Sequence, residues 1–254
     1  LQECRQGEIT FDGTPFSRLS RKARHQISLV PQDFAFYPLL SVRDNLSFFA
    51  SLYGRKDRAY LNSLIERCGL SPHAAKQARH LSGGLKRRLN FAIGLVNRPR
   101  VVFLDEITVG IDPQSRRFIL ESVAELNRSG VTIVYTSHYL QEIELLCRDL
   151  VLLDNGRCVY QGALADILRR HGGRLLLHTE PPLSPADAAA FAATPAAGGG
   201  VAIDSRQPEN ILAALAAKNY RISACRFGFS SLEDFYLDFL DGKTGGTNTT
   251  EGEG

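Results

Sequence analysis

Hydrophobic and polar positions alternate most regularly between residues 81 and 97. Apolar residues recur there at spacings of three and four, which predicts a helix over 85–97 with one apolar face. That face consists of Leu85, Leu89, Ala92, Ile93 and Val96. The basic residues 86–88 lie off this face, and Ser82-Gly83-Gly84 forms a glycine-containing turn at the start of the helix.

A short apolar run, 101–104, follows the helix and leads directly into Asp105 and Glu106. Four residues are too few for a helix, and such a run is typical of a buried parallel strand whose end borders a polar site. Asp112 and Pro113 then predict the N-cap and first turn of a helix that ends near residue 127. The pattern therefore predicts a helix, a strand and a second helix around two adjacent carboxylates.

Two further strands are predicted, at 27–30 and at 131–135, and a polar residue follows each of them. Gln32 comes two residues after the first strand, and His138 follows the second. A lone glutamine or histidine at a strand end is usually structural. Their order relative to residues 81–113 is what makes Gln32 and His138 candidates for a functional site.

The segment between Gln32 and Ser82 is predicted to be helical. Ser41 and Asp44 form a capping box for a helix that runs to residue 53, and a second helix is predicted over 57–68. This segment is rich in aromatic residues, which are Phe34, Phe36, Tyr37, Phe48, Phe49 and Tyr53. We predict that they belong to the core, with a groove for a partner helix as the alternative.

The second half of the chain predicts a smaller α/β region. Leu150 to Tyr160 forms a hairpin whose turn is Asn155-Gly156. Beyond residue 172, strands are predicted at 175–178, 201–203 and 221–225, and helices at 186–193, at 208–218 and from 231 onward. The last residues, 242–254, consist mainly of glycine, threonine and glutamate and are predicted to be disordered.

Composition narrows the class of protein. The chain has 254 residues, of which 44% are hydrophobic and 22% charged, as in ordinary globular proteins. The net charge of +3 is too small to indicate a nucleic-acid partner. Five scattered cysteines without a Cys-x-x-Cys pair favour reduced thiols over disulfides or a zinc site. No apolar run reaches the roughly 18 residues that span a bilayer, and no signal peptide opens the chain.

Three motifs that occur in order at close spacing resemble the ATP-binding cassette (ABC) ATPases. Leu81-Ser82-Gly83-Gly84 matches the signature motif of that family, residues 101–106 match its Walker B strand, and Gly110-Ile111-Asp112 resembles its D-loop. Gln32 then corresponds to the Q-loop glutamine and His138 to the switch histidine. One departure is Ile107, which stands where the family usually has proline and is expected to loosen the loop.

The resemblance implies an α/β fold of the P-loop NTPase type, with a mainly parallel sheet and a helical subdomain at about 33–97. Residues 1–172 would form the nucleotide-binding domain, and 173–241 a small C-terminal α/β extension. The phosphate-binding loop of the family, Gly-x-x-x-x-Gly-Lys-Ser/Thr, is not in this sequence: Gly242-Lys243-Thr244 has its last three letters, but Leu237 replaces the first glycine. We therefore expect an N-terminally truncated chain that is inactive alone.

The resemblance also implies chemistry for the complete protein, namely ATP hydrolysis with ATP and Mg²⁺ bound. Asp105 and Gln32 would contact Mg²⁺, Glu106 would be the general base, and Gln32 and His138 would sense the γ-phosphate. In the family, the signature motif and D-loop of one subunit complete the nucleotide site of the other. Those residues are here Ser82, Gly83, Gly84 and Asp112.

The implied partners are a second nucleotide-binding subunit, identical or different, and an integral membrane permease, with no nucleic acid. Residues 37–46 resemble the drug, antibiotic and lipid exporter branch. This implies a peripheral protein at the cytoplasmic face of the inner or plasma membrane, and docking of the permease on 32–52. Two alternatives stay open, a non-transport ABC ATPase and a catalytically dead regulatory cassette. Intact Asp105, Glu106 and His138 argue against the second.

Overall fold

The computed structural model describes residues 7–170, 174–196, 200–205, 207–227, 231–233 and 235–236. The chain divides into two compact units, Leu1–His138 and Tyr139–Gly254. Each unit is described by itself below. The predicted tail, 242–254, lies outside the described residues.

The first unit alternates strands and helices. Its elements are β1 (Thr10–Phe11), β2 (Thr14–Pro15), α1 (Arg21–Arg24), β3 (Ile27–Val30), α2 (Val42–Leu52), α3 (Arg58–Arg67), α4 (Gly83–Gly94), β4 (Val101–Asp105), α5 (Pro113–Arg128) and β5 (Thr132–Thr136). Strands β1 and β2 form a short antiparallel hairpin, and β3, β4 and β5 form a parallel sheet in the order β3-β4-β5. Because the three strands are parallel, their carboxyl ends lie at one edge of the sheet.

Among the described residues, this sheet is buried on one face and largely exposed on the other. Val30, Val102 and Leu104 are fully buried, whereas Leu29, Phe103 and Val134 on the opposite face are 52%, 41% and 39% exposed. The prediction of a buried strand at 101–104 is therefore wrong for the face that carries Phe103, and in the predicted buried strand at 131–135 Ile133 and Tyr135 are only half-buried. Successive side chains of a strand point to opposite sides, so an unbroken apolar run does not require that both sides be covered.

Helix α4 begins at Gly83 and ends at Gly94, two residues earlier at its start and three earlier at its end than predicted. Ser82 is the N-cap and its side chain accepts the Leu85 N–H, so both glycines fall inside the first turn. A Cβ at Gly94 would lie 2.3 Å from Cγ2 of Val30, so glycine allows α4 to approach β3 closely. Arg87 and Asn90 are also buried, which the single predicted apolar face did not indicate.

The predicted helix caps are confirmed by the structure. Ser41 Oγ accepts the Asp44 N–H at 3.1 Å, and its hydroxyl donates to Asp44 Oδ2 at 2.6 Å. Asp112 caps α5 with Pro113 at its first position, as predicted, whereas Asp57, predicted as the first residue of a helix, is the N-cap of α3. In each case a short polar side chain satisfies an N–H group that has no partner within the helix.

The prediction that the aromatic residues belong to the core is wrong for Phe34, Tyr37 and Phe48, whereas Phe36, Phe49 and Tyr53 are half-buried. Phe34, Tyr37 and Phe48 are 44%, 50% and 37% exposed. Their rings pack against aromatic neighbours instead, with centroids 4.8 Å apart for Tyr37 and Phe48 and 5.3 Å for Phe34 and Phe36. We call the exposed rings of Phe34, Tyr37 and Phe48 the aromatic surface. Their exposure favours the predicted alternative of a groove for a partner helix.

The second unit holds a hairpin and a separate antiparallel sheet. Its elements are α6 (Leu140–Leu146), β6 (Asp149–Asp154), β7 (Arg157–Ala163), α7 (Leu164–Arg170), β8 (Arg174–Glu180), α8 (Pro185–Ala190), β9 (Thr194–Pro195), β10 (Val201–Asp204), α9 (Pro208–Ala217) and β11 (Arg221–Phe227). The sheet has the order β11-β8-β10-β9. The predicted turn between β6 and β7 is confirmed, because Asn155 and Gly156 both have positive φ, 47° and 76°.

Two small apolar cores hold this unit together. Leu164, Ile167, Leu232 and Phe235 form one, and Leu175, Leu177, Ile203 and Leu215 form the other. Residues 232–233 and 235–236, part of the predicted last helix, are helical. In the described part of the chain, no helix has both the length and the apolar character needed to cross a bilayer.

Candidate functional site

Asp105 and Thr136 end neighbouring strands and lie directly opposite each other in the parallel register. The Thr136 hydroxyl donates to Asp105 Oδ1 at 2.6 Å, and the Glu106 N–H donates to the Thr136 carbonyl at 3.1 Å. Asp105 is exposed, so its carboxylate stays accessible from solvent while one of its oxygens is held. We call Asp105, Glu106, Thr136 and His138 the sheet-edge group.

Glu106 stands in a backbone conformation that is unusual for a residue with a side chain. Its φ is +46°, in the left-handed region that favours glycine. Its Oε1 atom lies 3.5 Å from Nδ1 of His138, and the Glu106 side chain is 32% exposed. Ile107 follows and is completely buried, so its side chain anchors the loop where the family has proline. A strained residue held in this way is common at functional sites.

Gln32 lies just beyond β3, at the same edge of the sheet as the sheet-edge group. It is exposed, and its carbonyl accepts a hydrogen bond from Nη1 of Arg87 at 2.6 Å. The backbone of Gln32 is thus fixed from α4. The parallel topology places Gln32, Asp105, Glu106 and His138 along one edge.

The glycine-containing turn forms the N-terminus of α4. The Leu85 N–H donates to Ser82 Oγ at 3.4 Å, and a Cβ built on Gly83 would meet nothing within 4 Å. Ser82 and Gly83 are both exposed. The start of this twelve-residue helix at Ser82 and Gly83 therefore borders an open surface, where the helix dipole favours an anion.

Gly84 lies where the N-termini of α4 and α5 meet. A Cβ at this position would lie 1.9 Å from Ser115 Oγ and 3.0 Å from Asp112 Oδ2, so no side chain fits. The Ser115 N–H donates to Asp112 Oδ1 at 2.9 Å. The hydrogen bonds from Ser115, the backbone one first, lower the pKa of the Asp112 carboxyl, which favours its charged form. We call Ser82, Gly83, Gly84, Asp112 and Ser115 the helix-start group.

The structure thus brings the predicted site residues other than Gln32 into two groups. Sequence reasoning missed Thr136 and Ser115, each of which contacts a predicted residue, and the buried Arg87 and Asn90. Thr136 had a usable signal, because a parallel neighbour of the strand 101–105 must end close to Asp105. Ser115 had none, since its contact with Gly84 depends on the angle between two helices.

Metal-binding capacity at the sheet edge is limited to individual side chains. Among the described residues, no three His, Cys, Asp or Glu side chains are arranged to hold a metal ion. Asp105 nonetheless offers an exposed carboxylate at a strand end. This fits Mg²⁺, which is usually held by one or two carboxylates together with substrate phosphates and water.

Comparison with known proteins agrees with this geometry. Residues 1–109 match the family model described as "ABC transporter". The matched range contains Gln32, the helix-start motif at 81–84, Asp105 and Glu106. Residues 1–109 belong to the ABC transporter family.

Relatives of known name extend the similarity beyond this range. The chain is 40% identical over 176 residues to the linearmycin resistance ATP-binding protein LnrL of Bacillus subtilis, an alignment that covers 67% of this chain and 56% of that protein. It is 38% identical over 165 residues to the Nod factor export ATP-binding protein I of Rhizobium etli, which covers 64% and 52%. The chain therefore spans about half the length of the curated ABC relatives that it matches.

Solved structures of ABC proteins share the fold. One, described as the structure of the ATP binding subunit of an ABC transporter, has a TM-score of 0.58 and 27% identity, with 65% of this chain and 70% of that chain covered. Another, cbiO1 of Clostridium perfringens, part of the ABC transporter complex cbiONQ, has a TM-score of 0.56 and 30% identity, with 63% and 66% covered. This likeness, together with the parallel sheet, confirms the predicted P-loop NTPase fold class.

Proposed function

We propose that this chain belongs to the ATP-hydrolysing subunit of an ABC exporter, which couples hydrolysis to transport through a separate membrane subunit. One observation carries the proposal: the parallel sheet brings Asp105, Glu106 and His138 together at its carboxyl edge, beside Gln32. Within this proposal residues 1–172 form the nucleotide-binding domain, with its helical subdomain at about 33–97, and 173–241 form the C-terminal extension.

The proposed reaction is phosphoryl transfer to water. Glu106 accepts a proton as the water oxygen attacks the γ-phosphorus, and the bond to the leaving ADP oxygen breaks. In this proposal His138, whose Nδ1 lies 3.5 Å from Glu106 Oε1, orients that carboxylate and contacts the γ-phosphate. Asp105, fixed by Thr136, and Gln32 would hold Mg²⁺, which would supply positive charge to neutralise the phosphate oxygens.

The helix-start group serves the nucleotide of a second subunit. The exposed N-terminus of α4 offers backbone N–H groups to a γ-phosphate, and Asp112 lies beside it at the start of α5. Two nucleotide-binding subunits, identical or different, then share two ATP sites in a head-to-tail pair. Each ATP contacts the sheet-edge group of one subunit and the helix-start group of the other.

The aromatic surface is the proposed contact with an integral membrane permease, within residues 32–52. Its rings are exposed, and it follows Gln32 directly in the chain. The proposed subunit is peripheral, at the cytoplasmic face of the inner or plasma membrane. The names of the two relatives, one for export and one for resistance, support the exporter assignment.

The test is Glu106→Gln in the complete protein, together with any residues that precede Leu1 in its gene. Glutamine keeps the shape of the side chain but cannot accept the proton, so turnover should fall by about 10²–10⁴-fold while ATP still binds. Glu121→Gln on α5 is the matched control, because Glu121 forms an exposed ion pair with Arg117. A Glu106→Gln protein with near-normal turnover would exclude Glu106 as the base.

A further inference from the structure

Arg87 is a buried cation that bonds to two loops of the first unit. It lies on α4, three residues after Gly84, and is only 4% exposed. Its Nη1 donates to the Gln32 carbonyl at 2.6 Å, and its Nη2 donates to the Val109 carbonyl at 3.3 Å. One guanidinium therefore joins the segment that carries Gln32 to the loop that runs from Glu106 to Asp112.

Asn90 lies one turn further along α4 and binds the first of these two segments. It is 2% exposed, and its Oδ1 accepts the Ala35 N–H at 2.9 Å. Its Nδ2 donates to the Pro31 carbonyl at 3.0 Å and to the Asp33 carbonyl at 3.4 Å. The backbone of residues 31–35 is thus held by side chains of α4, the helix that begins at the signature motif.

Burial of the charged Arg87 side chain costs solvation free energy. Desolvation lowers the pKa of its guanidinium, and Nε is buried without a hydrogen-bond partner among the described residues. The Phe34 ring lies 4.9 Å from the guanidinium carbon, and the charge of Asp33 offsets part of the desolvation. An apolar side chain would fill the same space without this cost, so the charged fork indicates a role in geometry.

We propose that Arg87 and Asn90 are positioning residues for hydrolysis, which fix Gln32 and the 106–112 loop to the helix that begins at Ser82. The proposal rests on the proposed function, because turnover is one of its readouts. It makes α4 the common support of three site segments. The planar fork of arginine spans two carbonyls at a fixed separation, which the single ammonium of lysine cannot do.

The contact with Phe34 extends this role to the aromatic surface. Phe34 is 44% exposed, and its ring lies against the guanidinium that holds Gln32 and Val109. A partner that displaces this ring would therefore act on the group that fixes both segments. Arg87 therefore links the aromatic surface to the backbone of the segments that carry Gln32 and Val109.

The experiment makes Arg87→Lys and Asn90→Ala in the complete protein and compares each variant with the unaltered protein. Arg117→Lys, on the exposed side of α5, is the control. Hydrogen exchange measured by mass spectrometry should rise in residues 31–37 and 107–111 for Arg87→Lys. For Asn90→Ala it should rise in 31–37 alone, because Asn90 bonds to that segment and not to the 106–112 loop. Turnover of Arg87→Lys should fall about tenfold with ATP affinity nearly unchanged, since small misplacements affect the reacting geometry most.

The alternatives give different results. Unchanged exchange in both segments of Arg87→Lys would overturn the proposal, and so would raised exchange with unchanged turnover. A general loss of protection that includes α5 would show that Arg87 only supports the fold. If the unaltered protein does not hydrolyse ATP, the proposed function fails, and the exchange pattern alone then decides whether Arg87 holds the two segments. Should Arg87→Lys not fold, Arg87→Gln is measured in its place.

Discussion

Asp105 in the sheet-edge group is exposed, and a hydrogen bond from Thr136 holds one of its oxygens, whereas Gly84 in the helix-start group is buried with no room for a single methyl group. The first region keeps its carboxylates accessible and fixes them through few polar contacts. The second is fixed by close packing of two helix ends. The difference fits their proposed tasks: the sheet edge must exchange water, metal and phosphate, while the helix start must present its N–H groups in one orientation.

The largest expected effect comes from breaking the packed region. Gly84→Ala places a Cβ where Ser115 Oγ lies 1.9 Å away, so the N-termini of α4 and α5 must separate. Overpacking of this kind costs about 1–3 kcal/mol. We expect a lower free energy of unfolding in urea and a loss of turnover in the complete protein.

Gly83→Ala is the matched control for this prediction, because a Cβ at Gly83 meets nothing within 4 Å. It should leave stability unchanged or raise it by about 0.4–1 kcal/mol through the unfolded state. Equal stability losses in the two variants would contradict the account of a packed helix start.

A smaller effect is expected at the sheet edge. Thr136→Val keeps the shape and strand preference of the side chain but removes the hydroxyl that donates to Asp105 Oδ1. Turnover should fall about three- to tenfold, with little change in the unfolding midpoint. Thr132→Val at the other end of β5 is the control. A stability loss as large as that of Gly84→Ala would show that the sheet edge is no less tightly held than the helix start.

The smallest effect concerns the charge of Asp112. Its folded pKa is below the ordinary value of 3.8, chiefly because it accepts the Ser115 N–H. A carboxyl with a lowered folded pKa contributes stability above its unfolded pKa and loses it as pH falls through the folded value. Asp112→Asn keeps an N-cap but does not titrate. The stability difference between the two proteins at pH 7 should therefore shrink below pH 4, as measured by urea unfolding. A difference that grows in acid would contradict this assignment.

Much of the first unit could be predicted from the sequence, because its signals are local. Ser41 and Asp112 cap the helices that follow them, and the apolar run before Asp105 forms a strand. The convergence of Asp105, Glu106 and His138 on one edge also follows from parallel strand order. Helices α6 and α7 were not predicted, since seven residues each are too few for a clear period.

The contacts that fix the site could not be predicted, because they join distant parts of the chain. Arg87 binds carbonyls 55 and 22 residues away, and Asn90 reaches segments 55 to 59 residues away. Their burial depends on how α4 lies against the loops around it. The exposure of the aromatic surface was not predicted for a related reason. Exposed rings that pack against each other have the same composition as rings in a core.

In the proposed pair of subunits, the sheet-edge group and the helix-start group act on one nucleotide from different subunits. The most direct test mixes a complete Glu106→Gln protein with a complete Ser82→Arg protein, each inactive alone. Half of the pairs formed at random are mixed, and each has one site with an intact Glu106 and an intact Ser82 from the other copy. Because only one of the two sites in each mixed pair is intact, turnover of the mixture should recover to at most about a quarter of the normal value. Activity no higher than that of the separate variants, from proteins shown to be folded and to form mixed pairs, would contradict it.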